Sequence, residues 1–209
     1  MSITQSETSS PRRRRRTPES AEREILAAAE AFLREYPFRD LTVDEVMART
    51  TLSRPSFYVY FRDRHHLAVR LVEGIGEALF AMSNRWLQGD DGHPRADVRE
   101  SLRGVAQVWE EHGLVLHAIA DATGHDPEVE RVYHGLIEQF VTATAARIER
   151  DVAAGRIAPL DPEPTAAALV WMSERYLLMT LGRLPQTPVD TVVDTLATIW
   201  TRTLYPSAT

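Results

Sequence analysis

Apolar residues recur three and four positions apart along most of the chain, and no period-two alternation or internal repeat interrupts them, so the pattern predicts helices throughout. The first periodic segment, Ala21–Tyr36, puts Ile25, Ala28, Ala29, Phe32 and Leu33 on one face, and Pro37 ends it. Phe38 and Leu41 can fill the gap before a short second helix. Thr42 can cap that helix, with Glu45 three residues on as in a capping box, and Val43, Val46 and Met47 share its apolar face. Thr50, Thr51 and Leu52 form a turn. Ser53 can cap a third helix, Arg54–Phe61, whose Pro55 falls in the first turn, where a missing N–H costs little. Asp63 then caps a longer helix, about Arg64–Leu87, with Leu67, Leu71, Ile75, Leu79 and Met82 on its inner side. Gly89–Pro94 reads as a turn by composition. Five further helices follow, about Ala96–His112, Leu114–Ala122, Pro127–Ala154, Pro164–Leu184 and Pro188–Tyr205. They are punctuated by Asp126–Pro127, Gly155, Pro162, Pro164 and Thr187–Pro188. The expected fold class is all-α, with about nine helices.

The pair of short helices, TVDEVMARTTLSRPSFYVYF, carries the first functional signal. Phe57 and Phe61 lie four apart and can pack inward, while Arg54, Ser56 and Tyr58 project elsewhere. A helix-turn-helix places such residues in the major groove, where Arg pairs with guanine, Ser donates to a phosphate or base, and Tyr holds a phosphate. An ordinary helical hairpin with an aromatic core face fits the same pattern. The core of this unit would be Ile25, Phe32, Leu33, Phe38, Leu41, Val43, Val46, Phe57, Tyr60 and Phe61.

Charge separates the chain into two parts. Residues 1–70 hold 13 Arg against 10 acidic residues, net +3, whereas residues 71–209 hold 11 Arg against 20, net −9. A basic first third on an acidic body suits a DNA-binding head on a domain that DNA should not touch. Within the polar, aperiodic segment 1–18 stand Arg12, Arg13, Arg14, Arg15 and Arg16. Such a run is either a solvated tail or an arm that adds phosphate or minor-groove contacts; its place just before the candidate head favours the arm. The division that follows is 1–18 as a disordered Arg-rich arm, 19–63 as the DNA-binding domain and 64–209 as the body.

The 209 residues are 44% hydrophobic, ample for a core, and contain no Cys, which excludes disulfides and thiolate chemistry. No apolar run approaches the roughly 18 residues of a membrane span, and no signal-peptide core follows the start, so the expectation is a cytoplasmic protein away from membranes.

The stretch LSRPSFYVYFRDRHHL resembles the recognition-helix signature of the TetR family of bacterial transcription regulators. Leu52, Ser53, Ser56, Phe57, Tyr58, Tyr60 and Phe61 fill that pattern, and the nine-helix count agrees with the family's architecture. The resemblance implies a repressor that contacts operator DNA through Arg12–Arg16, Thr42, Ser53, Arg54, Ser56, Tyr58 and Tyr60. Where the family usually has Gly, this chain has Thr51. A β-branched residue does not tolerate positive φ, so the turn is either built differently or strained.

The body is rich in large residues, among them Trp109, Tyr133, Ile137, Phe140, Trp171, Met172, Tyr176 and Trp200. Each alone reads as core; together, so many aromatics with polar handles suggest a cavity. The stretches RPSFYVYF, TAARIERDVAAGRIAP, ALVWMSERYL and DTLATIWTRTLY resemble one branch of the family, the mycobacterial ethionamide regulators. That likeness implies a long apolar tunnel whose hydrophobic ligand releases DNA, lined here by Val105, Trp109, Tyr133, Ile137, Phe140, Thr144, Ser173, Glu174 and Trp200. Val170 and Ser173 stand where that branch has Asn, so the polar anchoring is altered. The last two helices should form a homodimer interface as a four-helix bundle, with Val189, Val192, Val193, Leu196, Ile199, Trp200, Thr203 and Leu204 as its stripe. A dimer also suits the symmetry of operator DNA, with one dimer or several on a site.

An all-helical enzyme, a small-molecule carrier without DNA binding and a helical adaptor are the rival readings. No H-E-x-x-H, Walker loop or G-x-S-x-G is present, and His112, His117, His125 and His134 lack the i, i+4 spacing of a helical metal site. Neither metal nor cofactor is expected. An adaptor leaves the Arg run and the surface of Arg54–Tyr58 unexplained.

Overall fold

The computed structural model describes residues 17–89 and 92–206. Among these residues the chain forms α1 (Pro18–Leu33), a 3₁₀ turn (Phe38–Asp40), α2 (Val43–Met47), α3 (Arg54–Tyr60), α4 (Arg64–Gln88), α5 (Pro94–Ala122), α6 (Pro127–Ala153), α7 (Pro162–Thr180) and α8 (Val189–Leu204). No strand occurs among them. The fold is all-α, as the periodicity predicts, with eight α-helices among the described residues where about nine were expected.

The difference lies in one helix. Ala96–His112 and Leu114–Ala122 are a single continuous α5 that runs through Gly113. That glycine does not break the helix; it permits a close crossing. A Cβ there would stand 2.5 Å from the carbonyl oxygen of Leu181 at the end of α7.

Short side chains set the helix starts. Thr42 accepts from the Glu45 amide at 3.2 Å. The reciprocal half of the expected capping box is replaced by an ion pair, Glu45 to Arg49 at 2.7 Å. Asp63 accepts from the amides of His65 and His66, both at 2.9 Å, and Asp126 from those of Glu128 and Val129. The amide of His66 holds the Asp63 carboxyl below its ordinary value, against a smaller opposing effect of burial. Ser53 starts α3 without a side-chain cap; its hydroxyl pairs with that of Ser56 at 3.0 Å.

In the head, α1 packs on α2 and α4 around Ile25, Phe32, Leu33, Phe38, Leu41, Val46, Phe57 and Phe61, all buried, with Val43 and Tyr60 half-buried at the margin. In the body, α4 lies on α5 and α6, α7 covers α6, and α8 covers α5. Met82 is not on the inner side of α4; it is half-exposed, and Ser83 and Trp86 hold the inward positions after Leu79.

A polar cluster is buried between α4, α6 and the chain's end. Arg147 donates to the carbonyls of Trp86 and of Gly89. Its Nε lies 3.0 Å from the Asp151 carboxylate, which Arg156 also holds at 2.7 Å and Tyr205 through its hydroxyl. Burial pushes the Asp151 carboxyl up, but these three partners outweigh it and keep the group below its ordinary value. Burial and the same carboxylate push the Tyr205 hydroxyl up to about 12.

Candidate nucleic-acid interface and internal cavity

The turn between α2 and α3 is built without any left-handed residue: no non-glycine among the described residues has positive φ. Thr51 is anchored from outside instead. Its amide and its hydroxyl both donate to the Glu24 carboxylate on α1, at 2.6 and 2.7 Å. A side-chain acceptor thus does what backbone freedom does at a glycine, and the turn is differently built rather than strained.

Phe57 and Phe61 are buried, with ring centroids 5.4 Å apart, so their side of α3 is the inner one. The other side is open. Thr42, Ser53 and Arg54 are exposed, Ser56 and Tyr60 half-exposed, and Tyr58 is 52% exposed. Arg54 pairs with Asp44 of α2 at 2.6 Å, and its guanidinium lies over the Tyr58 ring, 5.8 Å from the centroid. Sequence reasoning passed over Val59, which is 74% exposed beside Tyr58. An exposed apolar side chain on such a helix can meet a thymine methyl group. The signal was available in its spacing, two positions from buried Phe57 and two from buried Phe61. Arg12–Arg16 lie outside the described residues.

His65 and His66 are both engaged. The His65 ring is 5.9 Å from that of Phe38, and its Nε2 is 2.7 Å from the carboxylate of Asp126, the cap of α6. His66 Nδ1 accepts from the Arg62 amide at 3.2 Å. On the other side of the head, Glu30 of α1 meets His112 of α5 at 3.2 Å.

The body encloses a cavity of about 110 Å³, room for several water-sized groups. Val105, Trp109, Tyr133, Ile137, Phe140, Thr144, Ser173, Glu174 and Trp200 all line it. Leu79, read from sequence only as an inner residue of α4, also lines it, as do Trp86 of α4, Leu136 of α6 and Leu177 of α7, which were not singled out from sequence. Leu79 and Trp86 stand seven apart on the inner stripe of α4, a spacing that could have found Trp86. Phe140 lies face to face on Phe80 of α4, centroids 3.9 Å apart. Trp200 meets Trp86 edge to face at 5.4 Å. Several polar groups of the wall are paired: Tyr133 donates to Glu174 Oε1 at 2.7 Å, Trp200 to Ser173 at 2.8 Å, and Ser173 to the Leu169 carbonyl at 2.7 Å. Burial first, then the neighbouring Glu174 carboxylate, drives the Tyr133 hydroxyl far above its usual value, so it stays a donor.

Most of the stripe assigned to a subunit interface is internal, with Ile199 and Thr203 exposed. Val192, Val193, Leu196, Trp200 and Leu204 are buried within this one chain, against the body. The outward side of α8 carries Thr191, Thr198, Ile199 and Arg202, and that of α7 carries Ala168, Arg175 and Met179. One face of α8 therefore serves the core, and the exposed residues lie on the far side of the helix.

A three-helix head with an open polar helix, set on a helical body around an apolar cavity, is the organisation of a helix-turn-helix transcription regulator. The family described as bacterial regulatory proteins, tetR family, matches residues 25–71, and that described as transcriptional regulator EthR, C-terminal domain, matches residues 98–206. The HTH-type transcriptional regulator EthR of Mycolicibacterium smegmatis is 29% identical over 97% of this chain and 95% of its own length. EthR of Mycobacterium tuberculosis is 31% identical over 96% of this chain and 95% of its own. Among solved structures, Salmonella enterica GusR superposes with a TM-score of 0.73 at 18% identity, covering 91% of this chain and 98% of that one. The chain belongs to the TetR family of DNA-binding transcription regulators, in its EthR branch. No helix among the described residues is long and apolar enough to cross a membrane.

Proposed function

We propose that this chain is a cytoplasmic, ligand-responsive repressor that binds double-stranded operator DNA as a homodimer and is released by an apolar small molecule in its cavity. Residues 19–63 form the reading head, 1–18 an arm along the phosphates, and 64–209 the ligand-binding and dimerisation body. Arg54, Ser56, Tyr58 and Tyr60 face the groove, while Thr42 and Ser53 hold phosphates at the helix starts. No catalytic role, metal or cofactor enters this reading.

One observation carries it: the cavity and the head share α4 and α6. Helix α6 walls the cavity through Tyr133, Ile137 and Phe140, and it begins at Asp126, which holds His65 at the root of the head at 2.7 Å. Helix α4 carries the head at one end and packs Phe80 on Phe140 further along. A ligand that displaces Phe140 or the start of α6 would therefore tilt α4. Because an operator fixes the separation of paired recognition helices at about 34–36 Å or a multiple, a small tilt lowers DNA affinity. Coupling of about 1–3 kcal/mol suffices for a usable switch.

Two subunits would meet through the outward faces of α7 and α8, where Met179 is 49% and Ile199 37% exposed. Fluorescence anisotropy with the gene's own upstream intergenic DNA tests the reading. A thermal-shift panel of hydrophobic amides, esters, ketones and fatty acyl compounds should yield stabilising compounds, and these should weaken DNA binding. Stabilising compounds that leave DNA affinity unchanged would refute the switch, and absent DNA binding would refute the repressor.

A further inference from the structure

The cavity wall contains one buried polar atom whose needs the protein does not meet. Glu174 is 7% exposed; Tyr133 donates to its Oε1 at 2.7 Å, but its Oε2 has no hydrogen-bond partner among the described residues. The nearest cation, Arg175 Nε, stands 3.9 Å away, beyond hydrogen-bond reach, on a side chain that is itself turned outward. A buried carboxylate oxygen left unpaired is costly, and the strongest remedy is a charge-assisted hydrogen bond from a cation.

The surrounding groups do not supply it. Tyr133 commits its hydroxyl to Oε1, and Trp200 donates to Ser173, which donates in turn to the Leu169 carbonyl. The rest of the wall near Glu174 is apolar, with Ile137, Val170 and Leu177. From this arrangement we infer that the inducer is an amphiphilic amine, whose ammonium group donates to Glu174 Oε2 while its apolar tail fills the cavity. The inference rests on the ligand-switch reading above and narrows it: an acid, ester or ketone of equal length would set oxygen lone pairs against an oxygen that already lacks a donor.

Calorimetry on the full-length protein with decylamine, decyl alcohol, methyl octyl ketone and decanoic acid, each below its micelle concentration, tests it. Decylamine should bind roughly tenfold or more tighter than the alcohol, with decanoic acid weakest. In Glu174→Gln the preference for the amine over the alcohol should vanish, and the variant's melting curve shows that it is folded. An amine no tighter than the ketone, or a preference that survives Glu174→Gln, overturns the amine assignment and leaves the apolar-ligand reading standing. If none of the four binds, the ligand reading and this inference fall together. The wild-type series decides the point even if the variant does not fold.

Discussion

Replacing Asp151 by Ala should unsettle the floor of the body more than any other single change among its polar groups. The carboxylate is fully buried and holds Arg156 at 2.7 Å, Arg147 at 3.0 Å and the Tyr205 hydroxyl. Arg147 is 2% exposed, so removal of Asp151 leaves a guanidinium buried beside two carbonyls with no carboxylate to balance it. Breaking such a pair from one side costs about 3–5 kcal/mol, a large share of the roughly 5–15 kcal/mol that holds a domain folded. The melting temperature should fall by roughly 6–20 °C. Urea unfolding followed by the chain's four Trp, at one fixed protein concentration, measures the loss. A cycle with Tyr205→Phe should show coupling, because the Trp86 indole donates to Tyr205 at 3.0 Å and Tyr205 donates to Asp151. Acid provides a second readout. The folded carboxyl titrates below its unfolded value of about 3.9, so its stabilisation is complete above that pH and disappears as pH falls through the folded value. Asp151→Ala should therefore lack this part of the acid dependence. A loss under about 1 kcal/mol with an unchanged urea slope would mean that Arg147 relaxes to water and the cluster holds nothing together.

Arg54→Ala should weaken operator binding by about 1–3 kcal/mol if Arg54 leaves Asp44 to read a base, and Tyr58→Phe by as much or less; anisotropy that finds both variants at wild-type affinity would remove α3 from the interface. Deleting residues 1–17 should flatten the slope of log K against log salt by about 0.9 for each phosphate that the arm neutralises, and an unaltered slope would make the Arg run a spectator. Ile199→Glu should give monomers in sedimentation with the fold retained, whereas Leu196→Glu should unfold the body, since Leu196 is 1% exposed within its own subunit; a folded monomer from Leu196→Glu would return the interface to the inner stripe.

Periodicity and punctuation were enough to identify the helices, their order and most of their starts. Thr42, Asp63 and Asp126 cap as their residue types require, because a cap is a contact between neighbours in sequence. The inward side of the recognition helix was legible for the same reason: Phe57 and Phe61 lie one turn apart. The family likeness placed nine residues that do gather round one cavity.

Contacts between distant segments were beyond that reach. Sequence could say that Thr51 is unusual in its turn but not that Glu24, 27 residues earlier, receives both its donors. It could find the apolar stripe of α8 but not which neighbour covers it, since burial in one's own chain and burial against a partner demand the same residues. It marked Gly113 as a break, where the closeness of Leu181 makes the glycine a crossing point inside a continuous helix. The unpaired oxygen of Glu174 likewise became visible only when the surrounding donors had been placed. A chain's local order is written in residues three and four apart, whereas its cavities, its unmet hydrogen bonds and its free faces are set by which helices pack together.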